Sequence, residues 1–219
     1  MIFQLDNTTE FPDPRYGNED GFYAVGGDLS PERLAKAYPL GIFPYFAFRM
    51  KPIIWWAPQE RFGIFADEIH VSHSMRNLMN KHRYRCSINE DFAGVLEGCA
   101  LTDGRMQEYN AWLGPELIDT WMQLHEMGHA HSVEVWEGEE LVGGLYGFVC
   151  GKCFLGDSMF SHVPSASKLA LIHLARHMQE HGGRFIDCQL ETAHLRSMGG
   201  RYISYDELLE LTGAEIMKK

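Results

Sequence analysis

Long apolar runs are missing from this sequence of 219 residues. None approaches the roughly 18–20 consecutive apolar residues needed to cross a bilayer, so no membrane-spanning helix is expected. A basic stretch leading into an apolar one, with a small-residue cleavage site, is also lacking: the start, MIFQLDNTTEF, fits no signal peptide. Cysteine is sparse and odd in number. The five residues Cys86, Cys99, Cys150, Cys153 and Cys188 are scattered, which suits a reducing cytoplasm better than a disulfide framework. Positive charge is scarce as well, 19 Lys and Arg against 30 Asp and Glu, for a net −11. That excludes a broad positive field for non-specific nucleic-acid binding, leaves room only for a local basic patch, and favours cationic partners. Internal repeats and low-complexity linkers are absent.

What is present is globular material: 45% hydrophobic and 22% charged residues, in a chain long enough for one large domain or two small ones. Residues 1–65 read as a small, aromatic-rich, loop-heavy unit in which FPDPRYGNEDG is turn material. Ser30 is placed to cap a helix that has Pro31 at its first position and is stopped by Pro39. IIWWAPQERFGIF reads as two strands around a turn at Pro58, and a soft boundary follows near Phe65–Glu68. Residues 66–219 then alternate. Helices are expected at Ser74–His82, Asp91–Ala100, Pro115–Met127, Ser165–Glu180, Thr192–Met198 and Tyr205–Leu211, the last with a Ser204/Glu207 capping box. Strands are expected at Tyr84–Ile88, Ser132–Glu137, Leu141–Val149, Cys153–Phe160, Arg184–Leu190 and Arg201–Ser204. Three in a row between Ser132 and Phe160, joined by short Gly-containing turns, make an antiparallel meander. The fold class is α+β, with helices on a central mixed, largely antiparallel sheet.

In HGGRFIDCQ a Gly-Gly stop leads into a strand with polar side chains among apolar ones. Strand alternation puts Asp187 and Gln189 on one face, about 6.6 Å apart at ~3.3 Å per residue. A carboxylate in mid-strand of an apolar segment calls for a partner, because burying an unpaired charge is expensive. Other motifs weaken on inspection. His125-Glu126-Met127-Gly128-His129 matches H-E-x-x-H, which binds zinc only when one helix carries both histidines. Gly128 is where that helix should end, so a helix-to-strand corner is the better reading. Cys150-Gly-Lys-Cys153 is a hairpin turn, without the strand–helix junction of a redox pair or the second pair of a zinc site. Arg76, Lys81, Arg83 and Arg85 gather basic charge within ten positions. They form either a solvated face or a docking patch for a phosphate backbone.

GGDLSPERLAKAYPLGIFPYF, PIIWWAPQERFGIF, LHEMGHAHSVEVW, LVGGLYG, GDSMFSHVPSASKLAL and HGGRFIDCQ, in this order and spacing, resemble the bacterial leucyl/phenylalanyl-tRNA–protein transferases. The resemblance runs from about Asp20 to Gly200. It implies a small N-terminal domain followed by a GCN5-type acetyltransferase-like domain. It also implies transfer of Leu or Phe, Met less well, from the 3′ end of aminoacyl-tRNA to the N-terminal Arg or Lys of proteins, marking them for degradation. No cofactor or metal is implied, and the expected enzyme is a cytoplasmic monomer with no membrane partner.

Carried over by position, the aminoacyl pocket involves Leu145, Phe154, Met159, Leu171 and Met178. Trp112 matches an aromatic beside the terminal adenosine, and Tyr45, Trp121 and Asp157 stand where family members carry Trp, Tyr and Glu. Asp187 and Gln189 match the proposed catalytic pair: the Gln189 carbonyl would accept from the incoming amine while Asp187 orients the amide. Glu134, Asp157 and Asp187 are candidates for an acidic groove facing the acceptor, and the Arg76–Arg85 run for tRNA. An acyl-CoA transferase would need a Gly-rich pyrophosphate loop where this chain has HVPSASKLAL. A zinc protease and a peptide-binding adaptor are the remaining alternatives; the adaptor leaves the Asp187/Gln189 pairing unexplained.

Overall fold

The structure is a computed structural model and describes residues 2–18, 20–45, 51–101 and 113–216. Four short strands, β1 (Phe3–Leu5), β2 (Phe22–Gly26), β3 (Phe43–Pro44) and β4 (Ile54–Trp56), form a small sheet in the order β1-β2-β4-β3. Beside it lies α1 (Pro31–Ala37), where the Ser30 hydroxyl accepts the Arg33 N–H and Pro31 takes the first turn, as its sequence predicts. After Pro58 the chain changes sheets. The strand that follows, β5 (Glu60–Phe65), joins β6 (Arg85–Ile88), β7 (Ala130–Glu137), β8 (Glu140–Cys150), β9 (Cys153–Ser161), β10 (Phe185–Asp187) and β11 (Arg201–Ser204). Their order is β11-β5-β10-β9-β8-β7-β6, antiparallel throughout except for the β9–β10 pair.

That pair is parallel because α5 (Ala166–Glu180) carries the chain back across the sheet between its strands. Packing of α5 onto one sheet face buries Leu171, Leu174, Ala175 and Met178 against Val133, Leu145, Phe154 and Ile186. Each large apolar side chain removed from water there is worth roughly 1.5–3 kcal/mol. The opposite face meets α3 (Phe92–Leu101) and α4 (Pro115–Glu126). Its buried cluster runs without a break from Tyr23 and Trp55 of the small sheet through Tyr38 and Trp121 to Tyr146 and Phe148. The remaining helices are α2 (His73–Asn80), α6 (Ala193–Ser197) and α7 (Tyr205–Thr212), the last with both halves of its expected capping box. Among the described residues no helix is long and apolar enough to cross a membrane.

Two departures from strand regularity shape the molecule. The β8–β9 ladder pairs Gly147 with Gly156 and Tyr146 with Ser158, so Asp157 is an extra, bulged residue. The second concerns β10, expected as Arg184–Leu190 and observed as Phe185–Asp187 only. Its end has a local cause. The Asp187 carboxylate accepts the Gln189 backbone N–H at 2.9 Å, and Leu190 N–H bonds Cys188 O at 2.7 Å. The chain therefore turns, with Gln189 at φ 61°. The expectation that Asp187 and Gln189 share a sheet face fails for this reason: strand alternation stops at Asp187.

Candidate active site

Because β10 is so short, it pairs with β9 only over Cys153–Leu155. Beyond that point β9 continues along β8 while the chain after Asp187 parts from β9 and stays bonded to β5, Cys188 N–H to Phe62 O at 2.8 Å and Phe62 N–H to Gln189 O at 3.4 Å. The strands part, and a cavity of about 430 Å³ lies in the opening. Its apolar wall includes Leu145, Phe154, Met159, Leu171, Ile186 and Leu195; its polar residues include Asp157, Ser158, Asp187, Thr192 and His194. A mostly apolar recess of a few hundred Å³ with convergent polar groups is the usual form of a small-ligand site. Leu145, Phe154, Met159 and Leu171 are thus brought together as expected. Met178 is not. It sits a turn or two further along α5, in an adjoining cavity of about 240 Å³, with Phe154 lining both.

The bulge turns Asp157 out of the ladder and into a cage of hydroxyls. Tyr38 Oη donates to one carboxylate oxygen at 2.5 Å and Tyr146 Oη to the other at 2.8 Å. Burial pushes the Asp157 pKa up to about 6, against the downward pull of both tyrosines and of the nearby Gln189 side chain. Burial likewise raises Tyr38 and Tyr146 well above the usual phenol range, so both remain donors. Behind them Trp121 meets Tyr38 and Tyr146 edge-on, at ring distances of 5.2 and 4.9 Å. A hydrogen bond to a charged group is worth about 1.5–3 kcal/mol, so losing the Tyr38 hydroxyl should raise the Asp157 midpoint by about 1–2 pH units. Carboxyl ¹³C titration of Tyr38→Phe against wild type measures this directly, and an unmoved midpoint would remove Tyr38 from the cage.

Asp187 is fully buried, and its partner was not anticipated. Arg61 Nη2 donates to Asp187 Oδ2 and Arg61 Nε to Oδ1 at 3.3 Å; Arg61 Nη1 reaches the Gly41 carbonyl. The geometry follows from register. Asp187 lies opposite Gly63 across the β5–β10 pair, and Arg61, two residues back, is its diagonal neighbour on the same face. Gly63 has to lack a side chain: a Cβ there would stand 2.2 Å from Phe185 Cζ and 2.4 Å from the Ile186 carbonyl. The signal for Arg61 lay in ERFGIF, a strand whose lone mid-strand cation needs an anion as much as Asp187 needs a cation. With one carboxylate oxygen on Arg61 and the other shared between Arg61 and the Gln189 N–H, Asp187 acts on the Gln189 backbone rather than on its amide.

The remaining expected site residues divide. Tyr45 is 52% exposed and edge-on to Trp56, whereas Trp121 is wholly buried. Trp112 lies outside the described residues. Glu134 does not face the cleft: it is buried in β7, where Ser132 and Ser87 hydroxyls donate to it at 2.5 and 2.7 Å, so it is withdrawn from the acidic groove. Arg83 pairs with Glu137 at 2.7 Å and Arg85 takes both oxygens of Glu90, while Arg76 and Lys81 have no carboxylate partner among the described residues. His125 ends in the helix-to-strand corner with Nδ1 on Ala130 O, and His129 stacks on Phe148, so the two rings face different partners. Cys150 and Cys153 face each other as free thiols at the hairpin turn. Sequence reasoning missed His194. It lines the cavity with Nε2 buried and unpartnered among the described residues, and burial, helped by Lys168, lowers its pKa.

Residues 64–212 match the family described as leucyl/phenylalanyl-tRNA protein transferase, and residues 27–59 match that family's N-terminal domain. A leucyl/phenylalanyl-tRNA–protein transferase of Nitrosomonas eutropha is 44% identical over 97% of this chain and 91% of its own. Those of Pectobacterium carotovorum and Syntrophus aciditrophicus are 43% and 46% identical, over 95% and 92% of this chain and 88% and 84% of theirs. A solved structure described as L-PGS from Bacillus licheniformis is similar at TM-score 0.43 and 15% identity, over 80% of this chain and 55% of that one.

Proposed function

The chain belongs to the leucyl/phenylalanyl-tRNA–protein transferase family, and from that premise we propose how its cleft does the chemistry. It is an aminoacyltransferase that moves leucine or phenylalanine from aminoacyl-tRNA to the N-terminal arginine or lysine of proteins. The observation that carries the mechanism is the apolar cavity ending on a caged carboxylate where two parallel strands part. An antiparallel meander, a β9–α5–β10 step and a bulge at the parting point support a GCN5-type reading of the larger part. We divide the chain into a unit through Phe65 and a catalytic unit from Ala66, with β5 as the strand the first lends to the second.

The donor is an activated ester, so no covalent nucleophile is needed; the site must hold a neutral amine against a carbonyl. An α-amino group with pKa about 7.7–8.0 is roughly a tenth to a fifth neutral at pH 7, a penalty of only about 1 kcal/mol. Positioning supplies ~7–11 kcal/mol and therefore dominates. In this reading Leu145, Phe154, Met159 and Leu171 receive the donor side chain, with Met178 backing Phe154 from the adjoining cavity. The Gln189 amide N–H groups turn to Asp157, which leaves the Gln189 carbonyl free for the incoming amine. Asp157 accepts the proton that the attacking amine loses as the C–N bond forms and passes it to the ribose oxygen as the ester C–O bond breaks, releasing deacylated tRNA. Proton transfer from the ammonium to a carboxylate near 6 is uphill by about 2.5 kcal/mol, against about 5.5 for an ordinary one. Asp187 is a positioning residue in this scheme, holding the Gln189 backbone in its turn.

Tyr45, Trp112 and Trp121 are proposed for the terminal adenosine, Tyr45 by its exposed ring and Trp121 through the tyrosines it packs against. For the tRNA body we propose Arg76 and Lys81, joined by Arg83 and Arg85, whose exposed glutamate pairs are worth only about 0–1 kcal/mol and exchange readily for phosphate. Met-tRNA as a weaker donor, a cytoplasmic location and a monomeric state complete the proposal. The test is transfer of radiolabelled leucine from Leu-tRNA to a peptide beginning with arginine. Label should enter that peptide and not one beginning with alanine; equal labelling of both would remove the acceptor assignment. Valyl and alanyl donors should fall short of leucyl by roughly 10–200-fold per missing methylene in kcat/KM, and near-equal rates would show that the cavity does not hold the side chain.

A further inference from the structure

On the flank of α5 opposite Leu171 runs another concavity, of about 500 Å³, between α5, α2 and β6. Leu169, His173 and Arg176 fall on this flank at i, i+4 and i+7, and Arg76 and His82 face them from α2 and the turn after it. Its apolar part includes Met79, Tyr84 and Leu169, all buried or half-buried. Among the described residues no acidic side chain lines it. Neither Arg76 nor Arg176 has a carboxylate partner among the described residues, whereas Arg83 and Arg85 nearby are both paired. Burial lowers the His173 pKa, against the pull of Glu180 and Glu134, so His173 offers a neutral ring N–H and the positive charge on the lining is that of Arg76 and Arg176, whose field the concave shape focuses.

A rim of arginine and histidine over an apolar floor suits one kind of guest: a phosphodiester strand, with phosphates on the cations and a sugar or base against the floor. The groove is also close to the donor cavity. An α-helix with its side chains is about 10–12 Å across, a distance that about three to four steps of a duplex strand cover at ~3.4 Å each. We propose that this groove is a phosphodiester-binding site for the tRNA donor, in which Arg176 and His173 of α5 act together with Arg76 and His82. The proposal rests on aminoacyl-tRNA being the donor. It adds α5 to a contact surface that the sequence placed on residues 76–85 alone.

The experiment compares full-length Leu-tRNA with leucyl-adenosine, which has no phosphodiester, across a salt series. Arg176→Glu and Arg76→Glu should each raise the KM for Leu-tRNA about five- to tenfold near 0.1 M salt. Each should also flatten the log–log salt dependence of kcat/KM by about 0.7–0.9 for every phosphate the variant no longer neutralises. The advantage of Leu-tRNA over leucyl-adenosine should shrink by the same factor, and Arg176→Lys should keep most of it. Arg184→Glu, an exposed charge reversal on the turn after α5, is the control. The groove is overturned if Arg176→Glu matches that control, if both donors lose equally, or if the KM for the acceptor peptide moves instead. Absence of transfer from either donor by the wild-type protein would instead sink the underlying reaction, a separate result.

Discussion

Asp157→Asn is expected to lower kcat by about 10²–10⁴-fold, the usual range for a proton-handling group, while raising the melting temperature at pH 7.5. The two effects share one cause. Ionised Asp157 is held in a largely desolvated cage, and its move from the ordinary carboxylate value to about 6 corresponds to roughly 3 kcal/mol at ~1.4 kcal/mol per pH unit. The sign matters: a carboxyl raised in the folded state is stabilising while protonated, and that advantage is lost as pH rises from about 4 through 6. Asparagine never ionises and escapes the loss. The variant should therefore melt with wild type near pH 4 and gain up to roughly 6–12 °C by pH 7.5, at ~2–4 °C per kcal/mol for a chain this size. In wild type kcat/KM should rise with an inflection near 6, below that of the acceptor amine. A melting difference that did not change with pH, or a fully active variant, would free Asp157 from both roles.

How far the residues themselves announce this depends on range. α4, α5 and α7 are legible because Gly114-Pro115, the apolar spacing of Leu169–Met178 and the Ser204/Glu207 box are local signals. The meander is legible from its two tight turns. The end of β10 is not: Asp187 and Gln189 alternate with apolar residues as in any strand, and only the side chain folding back on the Gln189 N–H breaks the pattern. The bulge at Asp157 is hidden for a similar reason, since GDSMFS gives no hint of which residue drops out of the ladder. Tyr38 lies 119 residues from the carboxylate it caps, and Arg61 lies 126 from Asp187. Pairings of that separation belong to sheet order, which composition and periodicity do not encode. The motif resemblance placed Leu145, Phe154, Met159 and Leu171 at one cavity, but Glu134, read as an open acid, is satisfied inside the protein.

Removing Arg61 while keeping Asp187 is expected to be the most destabilising single change near the cleft. Arg61→Met leaves a buried carboxylate with no counter-charge, a defect worth about 3–5 kcal/mol, or a melting point lower by roughly 6–20 °C. Replacing both members, Arg61→Met with Asp187→Leu, removes the stranded charge and should recover most of that stability, because buried pairs exchange for apolar groups of similar volume at little net loss. Activity should not recover. Without the Asp187 oxygen the Gln189 N–H has no acceptor, its left-handed turn is no longer held, and the carboxamide leaves its place beside Asp157. Turnover should stay down by about 10²–10⁴-fold with the KM for Leu-tRNA little changed, the split expected of a residue that positions the reacting groups rather than binds the donor. Asp187→Asn preserves an acceptor oxygen for that N–H and should retain more turnover than Asp187→Ala at equal folded fraction. A stable double variant with normal kcat would mean that the Arg61–Asp187 pair serves the fold alone, and that Gln189 needs no help in taking its position.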